Sequence, residues 1–341
     1  MSATTTQLEP SPWAAVFAAL PPWSPREHRL WLATMQSHFW QVAGDRATPD
    51  IMAQAACALL GRSGHLREDL VAALAFGVQS MAWHCYLRPW ASAAEIAAAV
   101  ATGQAVMAVA YSEPDGTPGM LKTTARPDGD GWRLSGSKHY ITNGPVADWF
   151  VIFASVAGQP PRREAFLVPA AAVQVSAMAV PPLLTGLPHG RLDFCDITVP
   201  ESQRLPEAQA LAAARRLRRA EDSLRLALLG AAVRAIVRRG TSDERQAAIL
   251  GEALLVEELA LAAMEALEAG RAQRQQALAL AGLEAAQALG THLPGWSIPG
   301  DDDHMQLLQA LPAALGRGDP SRLRMKLGRL AIPGEQRLDI P

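Results

Sequence analysis

The sequence predicts an α+β protein of several domains, with a helical N-terminal domain, a middle β-barrel or sandwich, and a C-terminal helical bundle. The main observation is the hydrophobic period, which changes from about 3.6 residues to 2 near Val106 and returns to 3.6 after Pro206. Ala and Leu dominate the two outer parts, whereas Gly, Pro and Asp clusters interrupt the middle part. The predicted domains are 1–105, 106–205 and 206–341.

Two helix starts can be identified in the N-terminal domain. Ser24 followed by Pro25 is typical of an N-cap and a first helical residue, and predicts a helix through Phe39. Ser92 and Glu95 have the spacing of a capping box and predict the start of the fourth helix, which ends near residue 103. The second and third helices are predicted at Thr48–Leu60 and Arg67–Leu87.

The middle domain contains eight short segments with strand character. Gly129 to Gly131 and the Asn143-Gly144 pair provide turn chemistry around two of them, and the Gly136-Ser137 pair between those two predicts a β-hairpin. The spacing of the segments is that of a compact barrel or sandwich. They are Val106–Tyr111, Leu121–Arg126, Trp132–Ser135, Lys138–Thr142, Trp149–Ser155, Ala165–Pro169, Val173–Met178 and Arg191–Val199.

The C-terminal domain is predicted to contain three long helices and one short one. Their Ala- and Leu-rich sequences, without charge on every face, favour self-association as a homodimer or homotetramer, with a hetero-oligomer as the alternative. The helices are expected at Glu207–Arg239, Ser242–Gly270, Arg271–Leu289 and Met305–Leu311.

Composition narrows the functional class. The chain has 341 residues and a net charge of −2, which gives no reason to expect a nucleic-acid partner. Cys57, Cys85 and Cys195 lack metal-ligand spacing, so we expect free thiols in a reducing compartment and no metal. Neither a signal peptide nor an apolar run of roughly 18 residues is evident, so we expect a soluble cytoplasmic protein without a membrane partner.

The run GDGWRLSGSKHYITNG at 129–144 resembles the motif G-x-W-x-L-x-G-x-K-x-aromatic-I-T-N in the middle domain of the acyl-CoA dehydrogenase family. The resemblance begins at Arg88, continues through Ser112, Glu113 and Pro114, where the family has Thr-Glu-Pro, and ends with FCDITVPESQRL at 194–205. It covers roughly a third of the chain. The family also has helices, a β-domain and helices in that order, which agrees with the predicted fold.

This resemblance implies FAD as the cofactor. In the family the Tyr-Ile-Thr segment lines the flavin, so Tyr140 would supply an aromatic platform and Thr142 a hydroxyl or backbone N–H near the flavin N5 and O4. Ser112 keeps a hydroxyl that can bond the flavin, although a plain turn is the alternative for its segment. The cofactor-binding residues expected on this basis are Tyr111, Ser112, Thr117, Tyr140, Ile141 and Thr142.

The loop at 115–119 departs from the family pattern, which is a run of small residues near the flavin phosphate. Pro118 removes a backbone donor, and the negative charge of Asp115 would repel a pyrophosphate. Thr117 retains a hydroxyl. This loop therefore implies cofactor binding that is weakened or rearranged relative to the family.

Oxidation of an acyl thioester at Cα–Cβ also needs a carboxylate base at the α-carbon. The family's I/L-Y-E-G-T segment is missing, and its closest counterpart places Pro299 where the Glu belongs. Some members use a Glu on the first C-terminal helix, which makes Glu221 and Asp222 the candidates, with a solvated helix face as the alternative. Asp301, Asp302 and His304 form a tail cluster that is more typical of a helix cap.

Two basic segments of the C-terminal domain bear on contacts with flavin or CoA. The family's R-x-x-F-G hairpin, which contacts the flavin of a neighbouring subunit, is replaced by the shorter Arg238–Ser242 segment. Arg215–Arg219 could meet a phosphate of CoA or flavin, but a solvated helix face is the preferred interpretation of this cluster.

Two functions follow from these observations. The first is FAD-dependent oxidation of an acyl thioester carried by CoA or by an acyl carrier protein. The second is a non-catalytic or cofactor-poor homologue that serves as a partner subunit in a complex of this type. Ser112, Tyr140 and Thr142 favour the first, whereas the missing Glu segment and the altered 115–119 loop favour the second.

Overall fold

The computed structural model describes residues 12–114, 120–158, 161–180, 182–239 and 244–293. Helices precede and follow a block of strands, as predicted. The α-helices are α1 (Pro12–Phe17), α2 (His28–Ala43), α3 (Pro49–Cys57), α4 (Leu66–Ala82), α5 (Ala94–Ala101), α6 (Glu207–Val237), α7 (Glu244–Glu268) and α8 (Ala272–His292). The strands are β1 (Met107–Ala110), β2 (Thr124–Asp128), β3 (Gly131–Thr142), β4 (Trp149–Val156), β5 (Arg162–Pro169), β6 (Gln174–Met178), β7 (His189–Pro200) and β8 (Arg204–Leu205).

All eight strands belong to one mixed sheet. Its order is β6-β7-β3-β2-β4-β5-β8, and β1 pairs with β4 outside this path. Successive residues of β4 point to opposite faces, so Phe150 and Ile152 enter a core formed by the sheet, while Val151 and Phe153 enter a larger core shared with the helices. The sheet and the helical parts are therefore joined by common packing.

The hairpin predicted at Gly136 is wrong, because residues 131–142 form the single strand β3. Its pairing with β7 shifts between Leu134 and Gly136 and again between Lys138 and Ile141. A Cβ at Gly136 would lie 2.6 Å from Thr123 Oγ1 and 2.8 Å from Thr123 Cα. Glycine is needed there for close approach of the backbone that precedes β2, and the turn that joins β2 to β3 lies at 128–131 instead.

The helix starts in the N-terminal part are only partly as predicted. Ser24 is confirmed as an N-cap, since its Oγ accepts from Arg26 N at 3.3 Å, but the first turn is a 3₁₀-helix and α2 begins at His28. The capping box at Ser92 is wrong, because its Oγ donates to Ser202 O at 2.7 Å. A tertiary hydrogen bond has replaced the local one.

The predicted helix at 67–87 consists of α4 and a π-helical turn, Trp83–Leu87. Arg88 N donates to Trp83 O, five residues back, at 3.0 Å. The helix at 66–87 is long and apolar enough to cross a membrane, but 89% of its most apolar window is buried inside the protein. It is the central helix of the N-terminal part.

Helix α6 connects the sheet to the C-terminal helices. Its crossing with α7 is so close that a Cβ on Gly230 would lie 2.4 Å from Ala253 O. On another face, Leu224 fills the space left by Gly77 of α4. The predicted Met305–Leu311 helix and the cluster of Asp301, Asp302 and His304 lie outside the described residues.

Candidate functional site

The last residues of β3 form an exposed edge. Residues 139 and 140 fall within the register shift and have no partner on β7. His139 N donates to Ser112 O at 2.9 Å, whereas Tyr140 N reaches only Met178 Sδ at 3.4 Å. Tyr140 has a φ of 56°, and its side chain is 65% exposed. The local strain thus presents an aromatic ring and a weakly bonded peptide edge to the exterior.

The structure brings three of the six predicted cofactor-binding residues to this edge. Ser112 is exposed and is joined to β3 through His139, Tyr140 projects outward, and Thr142 is half-buried beside His189, with 3.4 Å between Oγ1 and Nε2. Tyr111 and Ile141 point elsewhere. The ring of Tyr111 packs 4.8 Å from that of Phe153, and the side chain of Ile141 is buried in the sheet core. Thr117, like Asp115 and Pro118, lies outside the described residues.

A buried ion pair lies beneath this edge. Lys138 Nζ is 2.7 Å from Glu113 Oε1 and donates to Tyr111 O at 3.2 Å. Glu113 also accepts from the backbone N–H groups of Lys122 and Thr123, at 2.6 and 3.0 Å. These bonds hold the segments on both sides of the 115–119 loop against β3. Both residues fall within the family-like motifs, Lys138 at the motif lysine and Glu113 at the Glu of Thr-Glu-Pro, but no sequence pattern indicates that they pair.

Burial shifts the pKa values of the two groups of this pair in opposite directions. Burial lowers the pKa of Lys138 to about 8, although Glu113 opposes the shift. Burial also pushes the pKa of Glu113 upward, but the hydrogen bonds from Lys138 and Thr123 outweigh it, and the net shift is downward. The carboxylate is therefore held in its ionised form.

Asn143 follows the Tyr140–Thr142 segment directly and anchors it. It is fully buried with a φ of 62°, and its N donates to Pro188 O at 2.8 Å. Its Nδ2 donates to Ala75 O at 3.0 Å, and its Oδ1 lies 3.1 Å from His28 Nε2. Trp23 Nε1 donates to the other ring nitrogen of His28 at 2.8 Å. Sequence patterns do not reveal His28, since its partners are 5 and 115 residues away.

Glu221, the first of the two candidate bases, lies on α6 and is half-buried. Burial raises its pKa to about 7, against the opposing charges of Arg225 and Arg218, and no hydrogen bond contributes to the shift. After burial itself, the charge of Glu221 is among the causes that raise the pKa of Cys85 and Tyr86, so these groups are neighbours. The ring of Tyr86 lies 6.0 Å from that of Phe153, which also contacts Tyr111. Glu221 therefore lies where α6, the π-helical turn and the sheet meet.

Asp222, the second candidate, has a different environment. It pairs with Arg225 and, at 3.2 Å, with Arg218, and its side chain is 43% exposed. Its carboxylate is therefore engaged by arginines of the same helix. In the Arg215–Arg219 cluster, Arg216 is also occupied, because it pairs with Glu268, whose Oε2 lies 3.0 Å from His84 Nε2.

Comparison with known proteins identifies one family model that matches the middle of the chain. Residues 108–199 match the family model described as acyl-CoA dehydrogenase, middle domain. The L-prolyl-[peptidyl-carrier protein] dehydrogenase of Serratia sp. (strain ATCC 39006) is 34% identical over 112 residues. That alignment covers 30% of this chain and 28% of the relative, so it spans less than a third of either protein.

Solved structures extend the likeness, in fold, to more than 90% of the chain. The prolyl acyl carrier protein oxidase AnaB has a TM-score of 0.71 at 19% identity, covering 93% of this chain and 96% of its own. The FAD complex of PigA has a TM-score of 0.69 at 17% identity, covering 97% and 98%. A glutaryl-CoA dehydrogenase from Mycobacterium smegmatis in complex with FADH2 has a TM-score of 0.64 at 19% identity, covering 96% and 90%. Residues 108–199 therefore match the acyl-CoA dehydrogenase middle domain, and the chain shares the fold of these solved structures.

Proposed function

We propose that the protein is a FAD-dependent dehydrogenase that oxidises an acyl thioester at Cα–Cβ, with Glu221 as the base. The observation that carries this proposal is the half-buried Glu221 carboxylate at the junction of α6, the π-helical turn and the sheet, where burial raises its pKa to about 7. A base with such a pKa is about half ionised at neutral pH and ionised above it, yet binds a proton more strongly than an ordinary carboxylate. No comparable role is open to Asp222, whose charge is already neutralised by two arginines.

The exposed edge of β3 fits a flavin. The ring of Tyr140 is free to stack, the adjoining peptide edge has only a sulfur acceptor as partner, and His139 Nε2 is buried without a hydrogen bond among the described residues. Tyr140, Thr142 and Ser112 would hold the cofactor at this edge. When bound, FAD supplies the acceptor for the hydride that leaves the β-carbon.

The chain's own residues would divide the remaining work. Glu221 would take the α-proton on a carboxylate oxygen, and the apolar surroundings of Tyr86 and Phe153 would keep water from that oxygen. Arg225 and Arg218 limit the rise in the pKa of Glu221, so that the base is not fully protonated at neutral pH. Lys138 and Glu113 would fix the backbone that carries Ser112.

The acyl group would be presented as a thioester of CoA or of a carrier protein. Carrier-bound substrates are favoured by the relative from Serratia, which is named for a prolyl group on a peptidyl carrier protein. We propose a cytoplasmic homodimer or homotetramer, in keeping with the Ala- and Leu-rich C-terminal helices.

Absorbance spectroscopy tests this function. The purified protein, given FAD and freed of excess, should be yellow and should bleach under anaerobic conditions with an acyl thioester. A prolyl thioester on a carrier protein and a panel of acyl-CoA thioesters would identify the carrier. Glu221→Gln should bind FAD and remain oxidised, while Asp222→Asn should bleach like the wild type.

Each other outcome has a distinct meaning. A protein that never takes up FAD would overturn the flavoenzyme proposal and favour the non-catalytic partner subunit. A yellow protein in which Glu221→Gln still bleaches at the wild-type rate would remove Glu221 as the base.

A further inference from the structure

We propose that His28 is a positioning residue for the flavin-facing segment Tyr140–Thr142, acting through Asn143 as a neutral imidazole with its proton on Nε2. The inference rests on the proposed function, because it assigns a role toward the same cofactor edge. It adds a residue from the N-terminal helical part, outside the 108–199 match to the middle-domain model.

The hydrogen bonds around His28 fix its tautomer. The indole of Trp23 can only donate, so the Nδ1 of His28, 2.8 Å away, must be an acceptor. The ring proton therefore lies on Nε2 and points to Asn143 Oδ1 at 3.1 Å. With its oxygen thus used, the amide of Asn143 turns its NH₂ toward Ala75 O at 3.0 Å. In this hydrogen-bond network of Trp23, His28, Asn143 and Ala75, each of these polar atoms therefore has one partner and a fixed role as donor or acceptor.

A protonated imidazole would not fit this arrangement. Its Nδ1–H would oppose the indole N–H of Trp23, leaving two donors face to face. Burial lowers the pKa of His28, against the effect of its hydrogen bond with Asn143, which also favours the neutral ring.

The position of Asn143 connects this hydrogen-bond network to the proposed cofactor edge. Asn143 is bonded to Thr142 through the backbone, and Thr142 pairs with His189 at the start of β7. The N–H of Asn143 donates to Pro188 O, so its left-handed conformation sets where both strands end. The orientation of its amide therefore fixes how residues 140–142 are held at the end of β3.

The members of this hydrogen-bond network that belong to the N-terminal helical part come from three separate segments. His28 begins α2, Ala75 lies within α4, and Trp23 lies in the segment before α2. Trp23 also supports the turn that leads into β7, since a Cβ on Gly186 would lie 2.7 Å from its ring. The N-terminal helical part thus contacts both the end of β3 and the turn that leads into β7.

Two substitutions at His28 separate hydrogen bonding from bulk. His28→Gln keeps one acceptor and one donor for Trp23 and Asn143, whereas His28→Phe keeps a ring but leaves both partners without a bond. His38→Phe is the matched control, because His38 is on the same helix and, among the described residues, bonds only Thr34 O. Asn143→Asp provides a second test, since it keeps the oxygen facing His28 and loses the donor to Ala75.

The readouts are FAD affinity and the visible spectrum of bound flavin, which reports its immediate surroundings. We expect His28→Phe and Asn143→Asp to weaken FAD binding at least tenfold and to shift the flavin bands. His28→Gln should stay within about threefold of the wild type, and His38→Phe should not change either property. In addition, ¹⁵N NMR of the histidine-labelled wild-type protein without FAD should show His28 neutral and protonated at Nε2 at pH 7.

Contrary results are distinguishable. If His28→Phe binds FAD with the affinity and spectrum of His38→Phe, or if NMR shows a proton on Nδ1, the positioning role is overturned and the proposed function stands. If the wild type itself takes up no FAD, the proposed function fails and this inference fails with it. If the His28 variants do not fold, the NMR result for the wild type and the FAD affinity of Asn143→Asp decide.

Discussion

Lys138 and Glu113 form an ion pair in which the two side chains are 0% and 2% exposed, with 2.7 Å between Nζ and Oε1. Loss of one partner would leave the other charge buried alone, which costs about 3 to 5 kcal/mol. We expect Lys138→Met and Glu113→Gln each to lower the unfolding free energy by about 3 kcal/mol, with a coupling energy above about 1 kcal/mol in the double-mutant cycle. Urea unfolding of the four proteins without FAD measures this coupling.

The exposed pair Arg126–Asp196 is the matched control for that cycle. Its N–O distance is 2.8 Å, but its side chains are 62% and 52% exposed. The coupling between Arg126→Met and Asp196→Asn should be below about 0.5 kcal/mol. Equal coupling in the two cycles would contradict a special role for the buried pair.

Two neighbouring residues with left-handed backbone should respond in opposite ways to glycine. Tyr140→Gly relieves the strain of a positive φ and should raise the unfolding free energy of the protein without FAD by about 1 kcal/mol. It should also weaken FAD binding, because the exposed ring is lost. Asn143→Gly relieves the same strain but removes the bonds to His28 and Ala75, and should lower the unfolding free energy by about 2 kcal/mol. Guanidinium unfolding and FAD titration test both variants, and a loss of stability in Tyr140→Gly would show that its ring is structural.

The raised pKa of Glu221 predicts how stability depends on pH. Its pKa is about 7 in the folded protein and 4.5 ordinarily, so between these values the folded state holds a proton that the unfolded state has lost. The contribution of this group to the unfolding free energy is therefore fully present below pH 4.5. It is lost progressively as the pH rises from 4.5 through 7. Glu221→Gln should gain about 1 to 3 kcal/mol over the wild type between pH 4.5 and 7. Thermal unfolding at pH 5 and pH 8 measures the gain, and Asp222→Asn should not show it.

The same ionisation should appear in turnover. Because the base acts as a carboxylate, kcat/KM should rise with pH through about 7 and then level off. A rate that is flat from pH 5 to pH 8 would be incompatible with Glu221 as the base.

Two helical glycines offer a test of the C-terminal packing. Gly230→Ala would place a methyl group 2.4 Å from Ala253 O and should cost about 1 to 3 kcal/mol as α6 and α7 separate. Gly251→Ala meets nothing within 4 Å and should stabilise α7 by about 0.5 to 1 kcal/mol. Opposite shifts in melting temperature are expected, and shifts of equal sign would contradict the close crossing.

The order of helices and strands could be predicted from the sequence because hydrophobic period and turn residues are local signals. The hairpin predicted at Gly136 was wrong because that prediction also relied on a local signal. A glycine followed by serine is typical of a turn, but here the glycine accommodates Thr123, which is brought close only by the fold. The capping box predicted at Ser92 was wrong for a similar reason, since the hydrogen-bond partner of Ser92 is Ser202, 110 residues away.

The candidate site was predictable where a motif carries it and not where tertiary contacts do. Tyr140, Thr142 and Ser112 were found by their resemblance to a family motif, and the structure brings them to one edge. Glu221 and Asp222 could not be separated by sequence, because only burial distinguishes a desolvated carboxylate from one paired with arginine. The contribution of His28 depends on a partner 115 residues away and has no local signature.

The π-helical turn at Trp83–Leu87 affects how this chain should be aligned with its relatives. A π turn accommodates one residue more than an α turn, and everything after it is rotated by about 100° relative to a continuous helix. A relative without that extra residue would match this chain before Trp83 and be one position out of step from Arg88 onward. Residue equivalences near Tyr86 should therefore be drawn from superposed backbones, since helical periodicity alone would transfer them to the wrong neighbour.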